Sequence, residues 1–162
     1  MITLEPMSQA HFRRYLDHLV PEYAQAHVAS GDGEPATALE RARGDIVSLL
    51  PEGLATEDHH LLSVFADGIA EPVGAVWFEL RERDGRKSAF IYDFRIDAAH
   101  RGKGYGAGTL TRIDATLRAM GARHVGLSVL GDNVRARLLY EKHGFRVSGI
   151  LMEKAFGARR EA

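Results

Sequence analysis

Apolar positions recur along this chain at two spacings, every second residue and about every 3.6 residues, and the changeovers outline its elements. The run ITLEP reads as a short strand stopped by Pro6. Ser8 is placed to cap a helix over 9–29, in which Phe12, Tyr15, Leu16, Leu19, Tyr23 and Ala26 keep helical spacing. Pro21 lies inside that pattern and predicts a kink or a break into two helices. After the loop SGDGEP, ATALERARGDIVSLL reads as a second helix, ended by Pro51 and Gly53. Three strands follow, HHLLSVFAD, VGAVWFELRER and KSAFIYDFRID, the last two joined by Asp84-Gly85, a two-residue hairpin signal. The stretch AAHRGKGYGAGTL then opens a helix to about Met120, with Gly121 just past its end. RHVGLSVLGD reads as a strand, NVRARLLYEKH as a helix ended by Gly144, and FRVSGILMEKAF as one or two closing strands. Three meandering strands followed by α, β, α and β predict an α/β fold of mixed (α+β) character. Its mixed sheet has six to seven strands flanked by about four helices, in one domain over residues 1–162.

Composition narrows the partners. With 162 residues and 45% apolar content, the chain is long enough to bury about two-thirds of its unfolded surface. Its net charge of −1 gives it no overall attraction to nucleic acid or an anionic membrane, so neither is expected as a partner. It has no cysteine, which removes disulfides, thiolate metal sites and a thiol nucleophile. The N-terminal segment has no basic stretch leading into an apolar core, and no apolar run reaches the roughly 20 residues of a membrane span. The expectation is a cytoplasmic protein.

The glycine stretch carries the chemistry. No Lys-Ser or Lys-Thr pair follows its glycines, so it is not a P-loop. Gly102, Gly104 and Ala107 match the dinucleotide fingerprint, with Asp132 on the next strand, but that motif belongs to the first unit of a parallel sheet. Here an antiparallel meander precedes it. A third pattern, Arg-x-x-Gly-x-Gly, falls at Arg101, Gly104 and Gly106. Further on, NVRARLLYEKHGF presents Asn133, Ala136, Leu139, Tyr140, Gly144 and Phe145 at fixed spacing. These two motifs, in this order and after this strand, resemble those of the Gcn5-related N-acetyltransferase (GNAT) superfamily, in a bacterial-type single-domain form.

The physics of the first motif agrees with that resemblance. A helix start offers unpaired N–H groups and partial positive charge. Glycines let that backbone approach a pyrophosphate closely. Arg101 and Lys103 add counter-charge. The resemblance implies that Arg101, Gly102, Lys103, Gly104, Tyr105, Gly106 and Ala107 hold the pyrophosphate of acetyl-coenzyme A. It implies that the backbone of Phe94, Arg95 and Ile96 pairs with the pantetheine arm, where two central parallel strands splay apart, and that an N–H near Ile96 polarises the carbonyl. It also implies that Asn133 holds the arm from the far side and that Tyr140 protonates the departing thiolate. The implied reaction is acetyl transfer to a primary amine of a small molecule or peptide, by direct attack in a ternary complex. A non-catalytic coenzyme A-binding regulatory domain of the same fold is the alternative.

Other side chains are read on chemistry alone. Asn133 also suits a helix cap. Arg135 and Arg137 either reach a ribose phosphate or solvate their helix. The general base is left open between Glu79, Asp93 and water. Strict alternation puts Tyr92, Phe94 and Ile96 on one face of their strand and Asp93 and Arg95 on the other. Ser128 stands where one branch of the family has a glutamate. His59 and His60 point to opposite faces and His11 and His18 lack an acidic partner at metal-binding spacing, so no metal site is expected. His60 is placed at the edge of an acceptor groove, and Trp77 lines it or fills the core. Asp32, Glu34, Glu52, Glu57 and Asp58 frame an acceptor entrance or are solvated loop charges. A homodimer through the apolar tail GILMEKAF is an open option.

Overall fold

The computed structural model describes residues 1–29, 34–152, 154 and 156. Its elements run β1 (Ile2–Pro6), α1 (Gln9–Ala29), α2 (Ala38–Leu49), β2 (His59–Ala66), β3 (Gly74–Arg83), β4 (Arg86–Ile96), α3 (Tyr105–Ala119), β5 (Ala122–Leu127) and α4 (Val134–Lys142). The sheet order is β1-β2-β3-β4-β5. The first four strands pair antiparallel, and β4 pairs parallel with β5. This is the expected mixed fold with four helices, but with five strands among the described residues instead of six or seven. The difference lies at the C-terminal end, where residues 145–152 join no ladder.

Local chemistry explains the element ends. The Ser8 hydroxyl accepts from the His11 N–H at 3.1 Å, so α1 is capped as its sequence predicts. Asp84 and Gly85 both take positive φ, 53° and 70°, the geometry of a tight hairpin turn. Gly121 at φ 86° closes α3 in the left-handed conformation. α1 runs through Pro21 as one element, so of the two expected outcomes, a kink or a break into two helices, the break does not occur. Pro21 lies on the exposed side of the helix, so the carbonyl that loses its intrahelical donor faces water.

Two apolar layers sandwich the sheet. On one face α3 packs Leu110, Ile113 and Leu117 against Val64, Val76, Phe78 and Ile91. On the other, α1 and α2 pack Tyr15, Leu19 and Ile46 against Leu61, Ala75 and Trp77. Burial of such side chains contributes about 1.5–3 kcal/mol each, which fixes both helix layers relative to β4. No helix among the described residues is long and apolar enough to cross a membrane.

Candidate active site

The site is set by where β4 stops having a neighbour. Its pairing with β5 runs only from Lys87 to Ile91. From Tyr92 to Ile96 the strand keeps β3 on one side and, among the described residues, has no strand on the other. Asp97 donates its N–H to the Val73 carbonyl at 2.9 Å, so by the period of two Arg95 also turns its backbone groups toward β3. The amide and carbonyl of Phe94 and Ile96 therefore face the open side, where an extended ligand can pair with them.

A β-bulge accompanies this opening. The β3–β4 register shifts between Trp77 and Phe78, so Trp77 faces Asp93 while Phe78 faces Ile91. Tyr92 is the extra residue. Its ring stacks on Trp77 at 4.7 Å between centroids, on the α1–α2 face. Strict alternation is thereby corrected: Tyr92 joins Asp93 and Arg95 on one face, while Phe94 and Ile96 pack toward the α3 layer. One inserted residue brings two consecutive polar side chains to the same side of the sheet.

Beyond β4 the glycine loop meets the start of α3. Gly102 and Gly104 adopt φ 79° and 82°, and a Cβ on either would meet nothing within 4 Å. The two glycines are thus required by backbone conformation, and the space above them is open. No side chain caps the helix at Gly104. The first N–H groups of α3, at Tyr105, Gly106 and Ala107, are available to an anion, and a pyrophosphate fits this cradle. Arg101 donates from Nε to the Ile96 carbonyl at 2.8 Å. It ties the glycine loop to the open strand and keeps its exposed guanidinium end near both. Lys103 is exposed on the same loop.

Asp93 occupies the floor. Its carboxylate accepts the Tyr15 hydroxyl at 2.8 Å, while the residue keeps partial contact with solvent. Enclosure by protein pushes its carboxyl up to about 6, against the lowering effects of the Tyr15 hydrogen bond and the Arg95 charge. Arg95 is in turn 3.3 Å from Glu22. Burial raises Tyr23 to about 12, helped by the charge of Asp93 and then by Tyr92 and Asp45. Asp93 thus lies within electrostatic reach of phenols on α1 and α4.

The α4 phenol is Tyr140. Desolvation, then the negative charge of Asp93, pushes it up to about 12. Its ring lies 6.4 Å from Phe94 and 5.6 Å from Phe145, beside the open strand. Asn133 caps α4, its side chain accepting from the Ala136 N–H at 3.2 Å. Its exposed position leaves its remaining polar atoms toward solvent.

The other candidates fall further away. Glu79 is engaged by Arg81 and by the Tyr92 hydroxyl, each at 2.8 Å, and the Arg81 hydrogen bond leads in holding it below the usual carboxylate range. Its charge is held by Arg81 and its pKa lowered, which makes it a weaker base than Asp93, whose pKa is raised. Ser128 lies exposed just past β5. Trp77 is fully buried and donates to His59 Nδ1 at 2.9 Å, so it belongs to the core. His60 stacks on Phe78 at 4.9 Å, on the face opposite His59. Arg137 is 3.8 Å from Glu141 one turn on. Glu34, Glu52, Glu57 and Asp58 are at the surface or partly so, and Asp32 lies outside the described residues. Among the described residues no cluster suits a metal ion. Tyr15 and Tyr23 read in sequence as core positions of a helix. No local signal marks Tyr15, because its partner is 78 positions away.

A model of the acetyltransferase (GNAT) family matches residues 14–145. The chain is 37% identical over 153 residues to the uncharacterized N-acetyltransferase YycN of Bacillus subtilis (strain 168), spanning 94% of this chain and 97% of that protein. It is 30% identical over 152 residues to the uncharacterized N-acetyltransferase YdgE of the same organism, spanning 94% and 96%. The crystal structure of YycN superposes with a TM-score of 0.90 at 35% identity, covering 98% of this chain and 100% of that one. A transcriptional regulator from Bacillus halodurans C-125 shares the fold at a TM-score of 0.68 and 17% identity, covering 96% and 100%.

Proposed function

Because the chain belongs to the acetyltransferase (GNAT) family, we propose that it moves an acetyl group from acetyl-coenzyme A to a primary amine, with Asp93 as general base and Tyr140 as general acid. The placement of Asp93 and Tyr140 within electrostatic reach of each other, beside the open segment of β4, carries this reading. Acetyl-coenzyme A supplies an activated acyl carbon and a thiolate leaving group. The glycine loop and α3 N-terminus hold its pyrophosphate, with Arg101 and Lys103 as counter-charges. Phe94 and Ile96 pair with its extended arm, and the Ile96 N–H is the oxyanion donor. Asn133, besides capping α4, faces the arm from the α4 side.

The two proton transfers are coupled. A lysine-like amine has a pKa near 10.4, so it gives one proton to solvent and attacks as the neutral amine. Asp93 takes a proton from nitrogen as the N–C bond forms and the C–S bond breaks. Its negative charge is one of the two causes that hold Tyr140 high. Once Asp93 is protonated that cause vanishes, and the phenol gives its proton to the departing sulfur more readily. The proton on Asp93 then returns to Tyr140 through solvent, and the site is reset. The partial exposure of Asp93 provides that route. An acceptor amine approaches from the α1 side, past Tyr15, Tyr23 and Tyr92.

The test is a thermal-melt titration with acetyl-coenzyme A, coenzyme A and NAD, followed by thiol release across a panel of amines. Ligand at about 100 times its Kd stabilises by roughly 2.7 kcal/mol. Stabilisation by both coenzyme A forms, with thiol release that falls on Tyr140→Phe, is expected. Stabilisation with no release for any amine favours a binding domain. No response to either form overturns the assignment.

A further inference from the structure

The proposed proton transfers use Asp93 and leave Arg95 without a task. The two lie two residues apart on β4, with their side chains on the same face of the sheet. The Arg95 side chain is 14% exposed, so its charge is largely withdrawn from water. Glu22 lies 3.3 Å from its Nη2, and Asp97 lies 3.9 Å from its Nε. The second distance is too long for a hydrogen bond. Nε and Nη1 are both buried, and neither has a hydrogen-bond partner among the described residues. A guanidinium carries five N–H donors and no acceptor. Neighbours that balance its charge without accepting its protons leave its bonding incomplete. Buried donors of a charged group are the costliest to leave open, so this is a place where a bound acceptor group is expected.

A cavity of about 170 Å³ opens beside this guanidinium. α1 lines it with Arg14 and Tyr15, the β2–β3 turn with Glu71, and β4 with Arg95 and Asp97. The space is several times what a single water needs and suits a small organic group. Tyr15 joins the cavity to the reaction centre, since its hydroxyl donates to Asp93 at 2.8 Å. Two guanidinium groups face two carboxylates across the lining, and what separates the signs is availability. Glu71 and Asp97 are 82% and 44% exposed and keep their water. The contact of Glu71 with Arg14, 3.7 Å between two exposed side chains, is easily given up. Arg95 is enclosed, and only a group inside the cavity can complete its hydrogen bonds. A carboxylate matches a guanidinium in planarity and carries a single charge, whereas a doubly charged phosphate would be repelled more strongly by Glu71, Asp97 and Glu22.

We propose that this cavity takes a carboxylate of the acceptor, held by Arg95 from β4 and by Arg14 from α1, so that the substrates are amines that also carry a carboxylate, as free amino acids do. This rests on the reading of Asp93 as the base for the acceptor amine. Successive positions on one face of a strand are about 7 Å apart, a gap that a molecule with amine and carboxylate a few bonds apart can bridge. The strand thereby recognises the acceptor at two points, its amine at Asp93 and its carboxylate at Arg95.

The test is thiol release from acetyl-coenzyme A by the full chain, with acceptors in decarboxylation pairs: alanine and ethylamine, histidine and histamine, tyrosine and tyramine, lysine and cadaverine. In at least one pair the amino acid is expected to have a kcat/KM about 10- to 100-fold above its partner, the range a hydrogen-bonded charge supports. Arg95→Gln is expected to lower that ratio about tenfold or more, and Arg14→Gln to lower it less. The lower basicity of an α-amine adds to the ratio, but both variants keep that bias, so the drop reports the carboxylate contact. Arg95→Gln also removes a charge that acts on Asp93, a change that touches both members of a pair alike and cancels in the ratio. Arg14 is exposed, so its variant supplies the comparison if Arg95→Gln does not fold. Decarboxylated amines that react as fast or faster in every pair overturn this proposal and leave acetyl transfer standing, as does an amino-acid preference that neither variant reduces. No thiol release with any acceptor overturns the acetyl-transfer reading and this proposal with it.

Discussion

The Tyr15 hydroxyl donates a 2.8 Å hydrogen bond to the Asp93 carboxylate, tying the middle of α1 to the bulge of β4. Burial raises the carboxyl and this bond lowers it, with a balance at about 6. Tyr15→Phe keeps the ring in its layer and removes only the donor. The carboxylate loses a stabilising partner, so its pKa rises further. One such bond is worth about 1–1.5 kcal/mol, close to one pH unit. The acid limb of the kcat/KM profile is expected to move alkaline by about that amount, with the plateau at high pH largely kept. An unmoved limb would show that the base is not the group bonded to Tyr15.

Asp93 also makes stability depend on pH. Its folded pKa is raised, so between about 4 and 6 the native state binds its proton more tightly than the unfolded chain. Stability from this group is present at low pH and is lost as pH rises through that window. Above it the cost is about 3 kcal/mol, from roughly two pKa units. Asp93→Asn removes the cost and keeps an oxygen for Tyr15. The variant is expected to melt several degrees above wild type at pH 8 and close to it at pH 4. Its rate should fall by about 10²–10⁴, the usual worth of a general base. A less stable, fully active variant would remove Asp93 from the mechanism.

Much of this was legible in sequence because the signals are local. Asp84-Gly85, Ser8, Gly121 and Asn133 act within a few residues of themselves, and each takes its expected place. The order of hydrophobic periods also suffices for the mixed sheet. Two things were not legible. The bulge depends on how β4 meets β3, and one extra residue moved Tyr92 to the face of Asp93. The choice of Asp93 over Glu79 depends on partners: Arg81 and Tyr92 occupy Glu79, and a helix far along the chain encloses Asp93. The tail shows a third kind of limit, since its strand-like pattern is not matched by any ladder over residues 145–152.

Two glycines at the start of α3 are predicted to fail in opposite ways. Gly104 holds φ 82° with nothing within 4 Å of a would-be Cβ. Gly104→Ala strains the backbone by about 1–2 kcal/mol and places a methyl over the uncapped helix start. Coenzyme A affinity is expected to fall at least about tenfold, since 1.4 kcal/mol is one decade, while the melting temperature of the free protein drops modestly. At Gly108 a Cβ would lie 2.9 Å from Ile2 Cγ1, inside the α3–β1 packing. Gly108→Ala is expected to lower the melting temperature and leave coenzyme A affinity within a factor of two or so, because its packing lies away from the cradle. Calorimetric titration beside thermal melts checks both. Equal losses of affinity in the two variants would mean that α3 moves as a whole, and that the cradle is not local to Gly104.

Gly74 makes the closest backbone approach in the site, where β3 supports the segment Arg95–Ile96. A Cβ there would sit 2.2 Å from the Arg95 carbonyl oxygen and 3.1 Å from Ile96 Cα. Both neighbours are main chain, so neither can rotate away, and β3 and β4 must separate. Overpacking against side chains costs about 1–3 kcal/mol, and against fixed backbone the upper end is expected. The separation would fall where Phe94 and Ile96 turn their backbone groups to the open side. Gly74→Ala should therefore lower the melting temperature and raise KM for acetyl-coenzyme A together, and saturating acetyl-coenzyme A should restore part of the lost stability. Loss of stability with an unchanged KM would show that the open edge keeps its shape without β3 behind it, and that the ligand's arm is held from the α4 side instead.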